Sequence, residues 1–208
     1  MARYVPQLAL TALFAGLQVA SAVDTKPQSI YALDAIKAIM PGFSATCKGT
    51  TADNECRTPE QAAPYLIKSL ERRTTGEIAM VLSLIGLESA DLKYRMNHFP
   101  LPGNPAQGTA NMMGEEFVKE YAQSLNLPID GKSGPEILQL VIADDFQNFN
   151  SAVWFLERKC SDDVKAKMRK GTDEGYLLYL TDCIHTTDSP DRQAYWKRAK
   201  EFFGLTGQ

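Results

Sequence analysis

The chain has 208 residues, with 22 Lys+Arg against 25 Asp+Glu, a formal net charge of −3 at pH 7 and 44% hydrophobic residues. A mildly acidic balance gives no electrostatic case for nucleic acid, whose phosphates call for a basic surface. The length fits one domain with a substantial core, and no run approaches the ~18 uninterrupted apolar residues of a membrane span.

Arg3, the apolar run from Leu8 to Val19, and the small residues Ala20-Ser21-Ala22 form the pattern of a secretory signal peptide over residues 1–22. The expectation is an exported, soluble, monomeric domain over 23–208, one charge more negative once Arg3 is removed. Four cysteines, Cys47, Cys56, Cys160 and Cys183, allow three pairings in such a chain. Cys47–Cys56 with Cys160–Cys183 closes the shortest loops, and a loop of roughly 20 residues contributes on the order of 3 kcal/mol in the entropy model. No CxxC or His-rich spacing accompanies them, so neither a metal nor a cofactor is expected.

Ser29 to Met40 carries Ile30, Leu33, Ile36 and Ile39 at helical spacing, and Pro41-Gly42 stops it. A cysteine-bearing loop follows to Arg57. Thr58-Pro59-Glu60-Gln61 is a capping box with proline at the first helical position, predicting a helix to about Arg72. Thr74-Thr75-Gly76-Glu77 is a second capping box and opens the next helix almost at once. From Glu88 the pattern dissolves into some twenty residues rich in Pro, Asn and Gly, which predicts an ordered, ligand-facing loop. Helical spacing returns from Gly114 to Leu125, then from Ile137 to Ala143 behind Ser133-x-x-Glu136, and from Phe146 to Cys160. Ser161, Thr172 and Ser189-Pro190 cap three further helices. Eight or nine short helices and no strand define an all-α class.

The stretch Thr74 to Glu88, TTGEIAMVLSLIGLE, organises the rest. Between Ile78 and Leu87 it offers water no charge and only the hydroxyl of Ser83, so it should be the buried central helix. Its closing residue, Glu88, shares a side with Val81, Leu84 and Ile85. A carboxyl in such surroundings is either paired, with Lys93 or Arg95 nearest in sequence, or kept protonated by desolvation and able to donate a proton.

The ordered set Leu87-Glu88-Ser89, then Gln107-Gly108-Thr109-Ala110-Asn111-Met112-Met113, then Asn150-Ser151-Ala152-Val153-Trp154-Phe155-Leu156 resembles the lysozyme-like superfamily, in particular lytic transglycosylases and goose-type lysozymes. More closely, Gly76-Glu77-Ile78-Ala79, Asn97-His98-Phe99-Pro100 and the Gly108 segment are similar to a group of secreted fungal proteins, some of them muramidases. The resemblance implies a lysozyme-like fold, Glu88 as general acid on a glycosidic oxygen, and a sugar groove lined by the Gly-x-x-Met loop, that is Gln107, Gly108, Thr109, Asn111 and Met112. Glycosidic cleavage often uses a second carboxylate, for which Asp91 is the outside candidate beside Asp144 and Asp145, although related transglycosylases need none. Tyr94, Asn97, His98 and Phe99 supply the planar faces and amides that a sugar requires. Each has a plainer reading: His98 bonded within the structure, and Asn97, Gln107 and Asn111 satisfying loop backbone. Trp154 and Trp196 sit in apolar helical stripes and belong to the core.

The expected activity is therefore a secreted glycoside hydrolase, a muramidase acting on peptidoglycan or another β-1,4-linked N-acetylated glycan such as chitin. Ala110 stands where the fungal group often has arginine and Met113 where it often has glutamine. These departures support a different reading, a non-catalytic secreted effector or glycan-binding protein on the same fold.

Overall fold

The computed structural model describes residues 28–49 and 54–205; the expected signal peptide lies outside them. Nine α-helices are present among the described residues: α1 Gln28–Ile39, α2 Pro59–Leu70, α3 Thr75–Glu88, α4 Glu115–Ser124, α5 Gly134–Ile142, α6 Asp145–Lys159, α7 Asp162–Arg169, α8 Asp173–Leu178 and α9 Pro190–Phe203. A π-helical turn, Tyr179–Cys183, continues α8. The all-α class stands, with one addition. Strands β1 Met96–Asn97 and β2 Asn104–Gly108 pair antiparallel, with Met96 opposite Gly108, Asn97 opposite Asn104 and an irregular register between them. The two strands are too short and too rich in Pro, Asn and Gly to show period-2 alternation, which is why the sequence reads as loop.

The central helix forms where its capping box predicts. The Thr74 hydroxyl accepts from the Glu77 amide, and the Glu77 carboxylate accepts the Thr74 amide at 2.8 Å. From Ala79 to Gly86 every residue is buried, and the Ser83 hydroxyl is satisfied by donating to the Ala79 carbonyl at 2.7 Å. α3 packs most extensively against α9 and also meets α1, α6 and α7. Gly86 makes the α9 contact possible, since a β-carbon there would stand 2.6 Å from the Tyr195 ring. This close approach brings α9 side chains to the end of α3.

Both short-loop disulfides are formed, Cys47–Cys56 and Cys160–Cys183. The second ties the end of α6 to the π turn. Trp196 is fully buried, stacks on Tyr176 with ring centroids 4.9 Å apart, and donates its indole N–H to Asp173 at 2.6 Å. Trp154 packs on the core beside Tyr121. Both tryptophans are thus packing residues, as their stripes predict.

Candidate functional site

The residues after α3 make a tight left-handed turn. Ala90, Asp91 and Leu92 have φ of 49°, 60° and 70°, a region that non-glycine residues rarely occupy in succession. Ser89 is the pivot. Its hydroxyl donates to the Ile85 carbonyl at 2.6 Å and accepts the Leu92 amide at 2.9 Å, while its carbonyl accepts the amides of Lys93 and Tyr94. The serine of the Glu-Ser pair therefore builds the turn and is itself buried. Ala90→Gly should raise the unfolding free energy by about 0.5–1 kcal/mol, because relief of the left-handed backbone outweighs the added freedom of the unfolded chain. Denaturant titration checks this, and a loss of stability would contradict the strain assignment.

Two carboxylates stand at this turn, and α9 engages both. The Glu88 carboxylate accepts from Arg192 Nη2 at 2.7 Å, with both side chains largely shielded from solvent. Asp91 accepts the Tyr195 hydroxyl at 2.7 Å and the Gly42 amide at 3.0 Å. Burial, reinforced by the Asp91 carboxylate, pushes the Tyr195 phenol above its ordinary value. Arg192 and Tyr195 are three apart on one helix face, so one element holds both groups. The sequence allows a paired carboxylate at Glu88; the partner is Arg192, 104 residues away, rather than Lys93 or Arg95.

The hairpin groups the aromatic candidates. The Tyr94 ring lies 4.9 Å from His98 and 5.9 Å from Phe99, and Phe99 is 62% exposed. His98 Nε2 lies 2.8 Å from the Glu55 carboxylate, whose other oxygen accepts the amides of Arg95 and Met96. The amide candidates satisfy the hairpin itself. Asn97 donates to Gln107 at 3.2 Å and accepts from the amides of Phe99 and Asn104, and Gln107 donates to the Met112 carbonyl. Thr109 and Ser151 donate to Asn111, in a buried knot behind the loop. Gly108 is required by space, since a β-carbon would meet the Arg95 carbonyl at 2.4 Å. Met112 is half-buried. Ala110 and Met113 are 1% and 3% exposed and belong to the core, so their departures from the fungal pattern alter packing.

A further polar cluster joins Arg57, Arg95 and Asp145. Arg95 is 4% exposed; its guanidinium donates to the Glu55 carbonyl at 2.9 Å, to the Ile142 carbonyl at 2.7 Å and to Asp145. Arg57 holds the same Asp145 carboxylate at 2.8 Å. Burial pushes the Asp145 carboxyl up, but the hydrogen bonds from Arg57 and Arg95 outweigh it and hold the group below its usual range. Asp144 caps α6 by accepting the Gln147 amide at 2.8 Å. Both rivals for a second carboxylate are thus occupied. Long-range charge pairing of this kind leaves no local sequence signal; only the Asp144-Asp145 turn marks one end of it.

Among the described residues, no cluster of three or more His, Cys, Asp or Glu is arranged to hold a metal, and no helix is long and apolar enough to cross a membrane. No family model matches the chain. It is similar to a bifunctional dioxygenase-epoxy alcohol synthase of Fusarium oxysporum (strain Fo5176), at 36% identity over 159 residues, which cover 70% of this chain and 12% of the relative. The chain thus spans about an eighth of that relative's length. This match corrects the expected enzyme class. The relative is named for dioxygenase and epoxy alcohol synthase activities, so hydrolase, glycosidase and muramidase action on peptidoglycan is withdrawn.

Proposed function

We propose that the chain is an exported, non-catalytic binding module on a lysozyme-like helical frame, whose hairpin face takes an N-acetylated glycan of the chitin type. The observation that carries this reading is the Glu88–Arg192 ion pair, which ties one oxygen of that carboxylate to α9. Beside it, Tyr94, His98 and Phe99 form a ring cluster with one face open to water, suited to stacking on a pyranose. The two disulfides support export, where such bridges persist. A segment matching an eighth of a longer relative accords with a module that accompanies other activities.

Co-sedimentation with insoluble chitin tests the proposal. The protein should pellet with the polymer, and Phe99→Ala should weaken binding about fivefold to tenfold, as expected for an exposed aromatic contact worth about 1 kcal/mol. Its melting temperature should not change, because the ring is mostly solvated. Absence of binding, or binding indifferent to Phe99, would overturn the assignment. The match also favours a second reading, in which this segment contributes directly to dioxygenase or epoxy alcohol synthase chemistry. Oxygen consumption by the purified chain would establish that reading in place of the first.

A further inference from the structure

On the face formed by α1, α2, α3 and α9, an apolar cleft of about 140 Å³ remains open among core residues. Its origin is legible in α1. Ala32 and Ala35 stand three apart on the side facing the cleft, and their small side chains leave space that larger residues would fill. The floor is core: Ile36, Leu66, Leu70 and Leu82 are each no more than 6% exposed. Tyr31 forms part of the wall, its ring 5.2 Å from Phe202 and 6.2 Å from Phe203 at the end of α9. Lining residues are spaced by one turn on each of three helices, Ala32 to Ile36, Leu66 to Leu70 and Ile78 to Leu82, so the cleft runs along the helices and is longer than a single side chain.

We infer that this cleft binds the alkyl chain of a small single-chain amphiphile with an uncharged or cationic head. An enclosed apolar cavity of about 150 Å³ takes up a hydrocarbon guest, so the volume of this cleft suits a short alkyl segment. The cleft is open at one side, so a guest can lead its head out to solvent. Among the described residues lining it, Glu71 alone carries charge, and it is exposed at the rim. A carboxylate or sulfate head would be repelled by that charge, an ammonium attracted and an alcohol unaffected.

The probe is the neutral dye N-phenyl-1-naphthylamine, whose fluorescence rises in apolar surroundings. The intact protein should enhance it, with displacement by 1-octanol and octylammonium and at least tenfold weaker displacement by octanoate. Ala32→Leu, at a half-buried position, should reduce dye binding at least tenfold while far-ultraviolet circular dichroism stays unchanged. Glu71→Gln, at an exposed position, should bring octanoate to the level of octanol. No enhancement, enhancement untouched by Ala32→Leu, or octanoate competing equally in the unmodified protein would overturn the inference. So would co-sedimentation with phosphatidylcholine vesicles that Ala32→Leu abolishes, since that makes the occupant a membrane.

Discussion

Arg95→Met should lower the unfolding free energy by about 3–5 kcal/mol, the cost of breaking a buried charge network by removing one partner. Arg95 joins three parts of the molecule that are far apart in sequence. Its guanidinium meets the Glu55 carbonyl in the cysteine loop, the Ile142 carbonyl at the end of α5, and the Asp145 carboxylate at the start of α6. Methionine keeps much of the bulk but leaves both carbonyls without this donor and Asp145 with Arg57 alone of its two arginines. The pH dependence gives a second check. Burial pushes the Asp145 carboxyl up and the hydrogen bonds from Arg57 and Arg95 more than reverse it, so the folded-state value lies below the unfolded one. A carboxylate of this kind adds stability that is present above the unfolded value, near pH 4, and is lost as pH falls through the folded value. The stability gap between wild type and Arg95→Met should therefore be widest above about pH 5 and narrow below about pH 4. Denaturant titrations across that window measure it; a gap below 1 kcal/mol at neutral pH, or one constant down to pH 3, would contradict the network account.

Asp91→Ala should cost about 2–4 kcal/mol, because it removes the acceptor for two donors, the Gly42 amide and the Tyr195 hydroxyl, at a site that is 9% exposed. Tyr195→Phe removes only one of these bonds and should cost about 1 kcal/mol. The double variant should be no less stable than Asp91→Ala by more than a few tenths of a kcal/mol, as coupled partners of one bond require. Tyr195 also reports the pairing spectroscopically. Burial and the Asp91 carboxylate together push its phenol up, so Asp91→Ala should move one tyrosine titration toward lower pH. A silent Asp91→Ala variant, with unchanged stability and phenol titration, would return Asp91 to the list of free carboxylates.

Much of the frame was legible in the chain because helix signals are local. Thr58, Thr74, Ser133 and Ser189 cap the helices that their spacing predicts, and within the uncharged run from Ile78 to Leu87 every residue from Ala79 to Gly86 is buried, as the lack of a polar face requires. The favoured cysteine pairing follows from short loops in the same way. The hairpin escaped because prolines and asparagines at its tip obscure two short strands. The site was legible in its members and obscure in its connections. Glu88, Asp91, Tyr94, His98 and Phe99 all lie at or beside the turn after α3, yet what each can do depends on Arg192, Tyr195 and Glu55, which arrive from distant segments. Arg192 and Tyr195 do share a helical face in phase with the Ser189 cap, and that is the one signal in the sequence that could have paired α9 with the end of α3. Ala110 and Met113, read as altered groove residues, turn inward, a distinction that a motif comparison does not carry.

In the proposed reading Glu88 is held by Arg192 and serves structure, and the face binds without cleaving. It is tested most directly by incubating the purified protein and its Glu88→Gln variant with insoluble chitin and with bacterial cell walls, and analysing the supernatant for released sugar fragments by mass spectrometry. Neither protein should release any, and Glu88→Gln should lose about 1–3 kcal/mol in stability as Arg192 loses its partner. Fragments released by the unmodified protein and absent with Glu88→Gln would contradict it.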